Sequence, residues 1–230
     1  DSRPGDFLQS LYSDFKRPVL RTNIKAAEMI KCACNSFLAT KISFINEIGL
    51  ICKKLGIDVY TVADGMGYDP RIGRQFLNAG IGFGGSCLPK DCEALMALAE
   101  NSGCHVELLP AVNGINRQQP TRIVRVAEQK IGGLAGKTIT VLGLAFKPNT
   151  DDIRNSPAVS VVRELLARGA FVSAYDPQAM VRASEALPGD MQFCSSSLEA
   201  IQASDTILIL TEWDEFKDES LYSGKVVIDG

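Results

Sequence analysis

The ten residues GFGGSCLPKD, 82–91, set one thiol between a run of glycines and a charged pair. A cysteine that only fills a core needs neither neighbour. Gly82, Gly84 and Gly85 allow another backbone or a ligand to come close, and they let successive N–H groups turn toward one point, as anion sites require. Cys87 falls at or just before a helix start, where the positive end of the dipole favours a negatively charged nucleophile. Asp91 follows four residues later, one turn on along the same face. A thiol with a carboxylate beside it suits covalent catalysis. No strand precedes the glycines, so their spacing is a weak dinucleotide signal and the stretch reads as a thiol loop.

A second pair is Lys31 and Asn35. At i and i+4 they share one face of a helical pattern, among apolar neighbours. A lysine in the middle of so apolar a helix is costly without a partner, whereas Lys53 and Lys54 near its end read as solvated. An ammonium with an amide beside it suits a developing oxyanion.

These residues must be placed by the surrounding elements. Residues 24–55 carry one long helical pattern without proline, ended by Gly56. Its apolar residues (Ile30, Phe37, Leu38, Ile42, Ile45, Ile48, Ile51, Leu55) occupy nearly every face, so it is expected to be buried on several sides, crossing a helical domain and forming a dimer seam. A short helix and loop follow, then the thiol loop. The next helix begins around Cys87, with Pro89 in its first turn and Gly103 at its end. Further helices are expected over 109–118 and, after Pro120, over 121–131, because proline interrupts a helix.

Beyond Gly132–Gly136 the pattern changes. KTITVLGLAF, AFVSAYDP, TILILTEW and KVVIDG read as strands, alternating with the helical PAVSVVRELLARG and SLEAIQASD. Ser156 is placed to cap the first of these helices, with Pro157 at its first position. Buried strands alternating with helices signal a parallel sheet covered on both faces. The fold class is therefore α/β: a central all-helical dimerisation domain over 23–132, then a doubly wound, Rossmann-like domain over 133–230. Ligands bind such sheets at the carboxyl ends of the strands, here FKPNTDD and the following DP.

Composition narrows the function classes. With 46% apolar and 22% charged residues, the chain has the balance of a soluble globular protein. A net charge of −3 and a pI near 5.3 disfavour nucleic acid or an anionic membrane as partner. The opening residues DSRPGDFLQS lack the basic and apolar regions of a secretion signal. Seven cysteines without a CxxC, and one isolated histidine, give no metal-ligand spacing and are expected as free thiols in a reducing cytoplasm.

GFGGSCLPKD, with AEMIKCACNSFLATKISFINEIG before it and GLAFKPNTDDIRNSP after it, resembles the UDP-glucose/GDP-mannose dehydrogenase family over essentially the whole chain. DPRIGRQFLNAGIGFGGSCLPKD has the form of the UDP-glucose branch, while N-acetyl-mannosamine dehydrogenases typically carry a different cysteine loop. The resemblance implies NAD-dependent, four-electron oxidation of the sugar C6 alcohol, UDP-glucose to UDP-glucuronate. It implies that Cys87 takes the aldehyde as a thiohemiacetal and later holds a thioester, that Asp91 assists the hydrolytic water, and that Lys31 and Asn35 stabilise oxygen charge. By the same resemblance Arg71 reaches the sugar across a homodimer interface. Phe76, Gly84 and Gly85 line the nucleotide-sugar pocket, Phe146 and Lys147 hold the UDP end, and Arg154 approaches the NAD pyrophosphate. The family begins with an NAD-binding domain that has no counterpart here. Residues 1–22 are expected to be its tail, and the chain is expected to be inactive alone. The alternatives are oxidation of GDP-mannose, or a nucleotide-sugar-binding or dimerisation module with a vestigial cysteine.

Overall fold

The computed structural model describes residues 3–230, so the first two residues of the expected 1–22 tail lie outside the described residues. A short helix, α1 (Arg3–Leu11), leads to α2 (Ile24–Leu55), which is capped by the Asn23 side chain accepting from the Ala26 N–H and closed by left-handed Gly56. At 1.5 Å per residue α2 is about 48 Å long. Next come α3 (Val59–Gly67), α4 (Leu88–Asn101) and α5 (Leu108–Ile131).

Within one copy of the chain α2 is covered along one face by its own domain, where coverage on several sides is expected from domain and dimer seam together. Its buried stripe consists mainly of small or polar residues, Ser36, Ala39, Ser43 and Asn46, against which α4 and α5 approach closely. Ser43 fits that contact by donating its hydroxyl to the Val112 carbonyl at 2.9 Å. Ile30, Phe37, Phe44 and Ile51 remain exposed at intervals of seven, a continuous apolar stripe along the helix.

Pro120 gives a correction. It lies inside α5, which runs unbroken where two helices were expected. A proline removes one N–H from the ladder at a cost of about 3 kcal/mol. Packing on both sides of the proline offsets that cost: Val112 is buried with α2 and α4, and Ile123, Val124 and Ala127 are buried in the core of the sheet. One helix therefore belongs to both layers and ties them together.

The sheet runs β1 (Thr138–Leu142), β2 (Phe171–Tyr175), β3 (Gln192–Phe193), β4 (Thr206–Ile209) and β5 (Val226–Asp229), in the spatial order β3-β2-β1-β4-β5 and parallel throughout. The helices are α6 (Pro157–Ala167), α7 (Met180–Ala186) and α8 (Ser197–Gln202). The expected strands and helices are present. The two-residue β3 and the seven-residue α7 are additional, too short to show a period. Alternation along β1 sends Ile139 and Val141 to the face covered by α5 and α6, and Leu142 to the face covered by α8 and Trp213. Ser156 occupies the cap position of α6, but its hydroxyl is given to the Leu144 carbonyl at 2.7 Å rather than to the helix.

The carboxyl edge of this sheet is organised by one buried carboxylate. Asp176, fully buried after β2, accepts from the backbone N–H groups of Leu144 (2.7 Å) and Ala145 (2.9 Å) and from the Trp213 indole (3.2 Å) on one oxygen. Its other oxygen accepts from Gln178 (2.9 Å) and Ala179 (2.7 Å). The turns after β1, β2 and β4 thus converge on one side chain, which fixes where residues 144–146 leave the sheet. In Asp176→Asn an NH2 must face N–H donors, so at least two hydrogen bonds are lost in a dry site. Urea unfolding is expected to show a loss of about 3 kcal/mol; an unchanged midpoint would remove this organising role.

Candidate active site

The thiol loop is held from two sides. From α5, Asn116 accepts from the Phe83 N–H (2.8 Å) and donates its amide to the Phe83 carbonyl (2.9 Å). From the segment after β1, the Arg154 carbonyl accepts from the Gly85 N–H (2.8 Å), and the Asn155 amide donates to the Gly85 carbonyl (3.2 Å). A Cβ on Gly84 would lie 2.3 Å from the Asn155 carbonyl oxygen, and one on Gly85, whose φ is +79°, would lie 2.7 Å from the Phe146 ring. The expectation that these two glycines make room for a ligand is therefore corrected. The room is taken by the protein's own residues 146–157, and both glycines are buried.

So fixed, the loop delivers Cys87 to the N-terminus of α4, where the thiol is exposed and the Ser86 hydroxyl lies 3.7 Å from its sulfur. One turn on, the Asp91 N–H donates to the Cys87 carbonyl at 3.0 Å. The Asp91 side chain is buried, and its Oδ2 accepts from both Lys31 Nζ and Asn35 Nδ2 of α2. Lys90 Nζ stands 3.6 Å from the other oxygen. Lys31, Asn35 and Asp91, expected to work together, are brought together, with the two donors spent on the carboxylate. The hydrogen bond from Lys31, then that from Asn35, holds the Asp91 carboxyl below its usual range against the opposing effect of burial. Asp91 in turn raises the Lys31 ammonium, to which Cys32 and Cys87 add smaller contributions. Arg154 is raised chiefly by the hydrogen bond it donates to Asp152.

Beside the loop is a cleft of about 520 Å³ at the carboxyl ends of β1, β4 and β5, between sheet and helices. It lies where the strand order reverses direction, the usual ligand position in a doubly wound sheet. Phe76, Phe146 and Lys147 line it, together with Asn78, Thr211 and Glu212. Phe76 has φ +65°, a strained conformation for a bulky side chain that holds its ring at the cleft, half exposed. Lys147 Nζ lies 5.4 Å from the Phe146 ring centroid. The Phe146 ring, against Gly85, joins cleft and thiol loop. Arg71 and Arg154 do not line the cleft. Each is a fork on the aspartate two residues before it, Arg71 on Asp69 (2.6 Å) and Arg154 on Asp152 (2.8 Å), with its guanidinium exposed. Asn116 and Asn155 were missed in the sequence, because nothing in their spacing ties them to a loop over thirty residues away. Thr211 and Glu212 were legible only as the end of a strand.

Residues 25–118 match the central-domain model, and residues 140–230 the UDP-binding-domain model, of the UDP-glucose/GDP-mannose dehydrogenase family. The chain is 48% identical to UDP-glucose 6-dehydrogenase TuaD of Bacillus subtilis over 97% of its length and 45% identical to YwqF of the same organism over 100%. A UDP-glucose dehydrogenase structure from Pyrobaculum islandicum superposes with a TM-score of 0.96 at 43% identity, covering 100% of this chain and 53% of that one. The chain spans about half the length of the curated relatives it matches, 50% of one and 54% of the other. Among the described residues no helix is long and apolar enough to cross a membrane.

The pH dependence of the Asp91 cluster follows from its directions. A depressed carboxyl contributes stability above the ordinary carboxylate value of ~4, which is lost as pH falls through its lower folded value; the raised ammonium contributes below the lysine range for as long as Asp91 stays ionised. Lys31→Met is therefore expected to lower the urea midpoint clearly at pH 7 and progressively less below pH 4. An equal effect at pH 7 and pH 3 would show that charge pairing with Asp91 is not what Lys31 supplies.

Proposed function

Because the chain belongs to the UDP-glucose/GDP-mannose dehydrogenase family, we propose that it forms the thiol-bearing and UDP-binding half of an enzyme that oxidises UDP-glucose to UDP-glucuronate. The observation that carries this reading is the assembly of Lys31, Asn35 and Asp91 one helical turn from an exposed Cys87, next to a cleft at the switch point of the sheet. The relatives' names favour UDP-glucose over GDP-mannose as the substrate.

In this reading the uridine diphosphate end lies in the cleft beside the thiol loop, beside Phe76 and against Phe146, with Lys147 meeting phosphate charge. The sugar extends along the thiol loop toward Cys87. The sulfur adds to the C6 aldehyde, forming a C–S bond as a proton reaches the carbonyl oxygen, and the oxidised product of that adduct is a thioester. Water then adds to the thioester carbon and the C–S bond breaks, returning the thiol and releasing a carboxylate. Lys31, whose head is half exposed while its charge is anchored by Asp91, is the cation placed to meet oxygen charge in both steps. Asn35 holds that anchor in place, and Asp91 is the carboxylate within one turn of the adduct to assist the water. NAD, when bound, supplies the acceptor for the electrons removed; in this chain the exposed Arg154 fork is the group assigned to approach its pyrophosphate. The remaining NAD contacts are assigned to parts of the longer relatives outside this chain.

With the full-length protein, Cys87→Ser is expected to lower NADH production from UDP-glucose by at least a thousandfold, because an alkoxide-poor hydroxyl replaces the sulfur nucleophile. Turnover within tenfold of the parent would remove Cys87 from the chemistry.

We assign the exposed stripe Ile30, Phe37, Phe44 and Ile51 of α2 to a two-fold contact with a second copy. The sevenfold spacing presents one continuous seam, and leaving four large apolar side chains in water along one line is unfavourable. The seam would carry the Arg71 loop of one copy toward its partner. Sedimentation at micromolar concentration is expected to show a dimer for the parent and a monomer for Phe37→Glu/Phe44→Glu. A monomeric parent would overturn the seam.

A further inference from the structure

A second cleft, of about 340 Å³, lies among α2, α3, α5 and the end of β5. It shares a wall with the cleft beside the thiol loop, since Ala79, Gly80 and Ile81 border both. Three buried side-chain polar atoms lack a hydrogen-bond partner among the described residues, and the residues that carry two of them line this one cleft. One is Nδ2 of Asn46 on α2, a residue only 4% exposed. Its Oδ1 accepts from the Gly80 N–H at 2.7 Å, which fixes the amide and leaves its NH2 unmatched. The other is Nη1 of Arg122 on α5, whose Nη2 donates to Gln118 at 2.8 Å. Unmatched buried donors are costly, a charged one most of all, and such groups are nearly always met by protein, water or ligand.

Both unmatched atoms are donors, so what they call for is an acceptor. The nearby charges agree: Lys53 and Arg122 line the cleft against one carboxylate, Asp229. The remaining walls are aliphatic, from Leu50, Val59, Ile81, Ile123 and Val126. We propose that this cleft binds a small monocarboxylate with a short aliphatic body, its oxygens accepting from Asn46 Nδ2 and Arg122 Nη1. A planar carboxylate matches the guanidinium fork, and such charge-assisted bonds are about twice as strong as neutral ones. A bare phosphate would leave the aliphatic walls wet. The volume lies near the lower end of the ~300–1,000 Å³ typical of small-molecule sites, which suits an acid of a few carbons.

The test is saturation-transfer NMR on the 230-residue chain at pH 7 with three probes of one shape: butyrate, butyramide and butylammonium. Butyrate is expected to give the strongest signal and butylammonium little. Arg122→Met keeps the stem and removes the guanidinium, and is expected to weaken butyrate by about tenfold, the effect of losing one charge-assisted hydrogen bond. Asn46→Asp keeps the acceptor for Gly80 and turns the NH2 into an oxygen, so butyrate binding is expected to vanish. Should that buried substitution fail to fold, Arg122→Met decides alone. Lys147 lines only the neighbouring cleft, and Lys147→Met is expected to leave butyrate binding unchanged. No butyrate signal would mean that solvent alone meets the two donors, and would overturn the site. Equal signals from the three probes, insensitivity to Arg122→Met, or loss of butyrate in Lys147→Met would do the same. The site does not depend on what the neighbouring cleft binds, so the two readings fail separately.

Discussion

No side chain can be placed between residue 84 and the carbonyl of Asn155, where even a methyl carbon would lie 2.3 Å from oxygen, and the geometry of the site follows from that contact. It brings the backbone of the thiol loop against the segment that leaves β1. The backbone hydrogen bond from Gly85 to Arg154 and the Asn155 amide then lock the two together. The partner segment is itself fixed, because the fully buried Asp176 gathers the N–H groups of Leu144 and Ala145 just before it. Position therefore passes from a carboxylate inside the sheet domain, through Phe146 and Asn155, to a cysteine at the head of a helix in the other layer.

Charge is arranged on the same frame. Asp91 is buried, and a buried carboxylate without partners is expensive. Two donors from α2 meet it, which requires α2 and α4 to keep one relative position, since shifting either helix by a turn would strand the charge. The pair is thus a register device as well as a candidate catalytic element. Lys31, with its head half exposed, is screened by solvent, and the same exposure leaves it accessible to a substrate.

Two helices connect these local arrangements to the whole. α5 runs through Pro120 because both of its halves bury apolar residues, one in the helical layer and one in the sheet core, so the layers cannot drift apart without exposing both. α2 buries small residues on one face and leaves large ones outside on another. A monomer gains little from that distribution. It is the pattern of a helix whose second face belongs to another surface.

By itself the sequence determined the local and periodic features. The 24–55 helix, the start of α4 at Cys87, the proline-initiated α6 and four of the five strands were legible, because propensity, capping and hydrophobic period act within a few residues of chain. The pairing of Lys31 with Asn35, and of Cys87 with Asp91, was legible for the same reason, as helical spacing. Tertiary structure decided the rest. Only packing on both sides carries a helix through Pro120, and only the Leu144 carbonyl draws the Ser156 hydroxyl away from its cap. Only the approach of residues 146–157 shows that Gly84 and Gly85 make room for the chain itself. Hydrogen bonds such as Asn116 to Phe83 and Lys31 to Asp91 join residues 33 and 60 positions apart. No local rule encodes a contact of that range; it exists once two faces have been buried against each other.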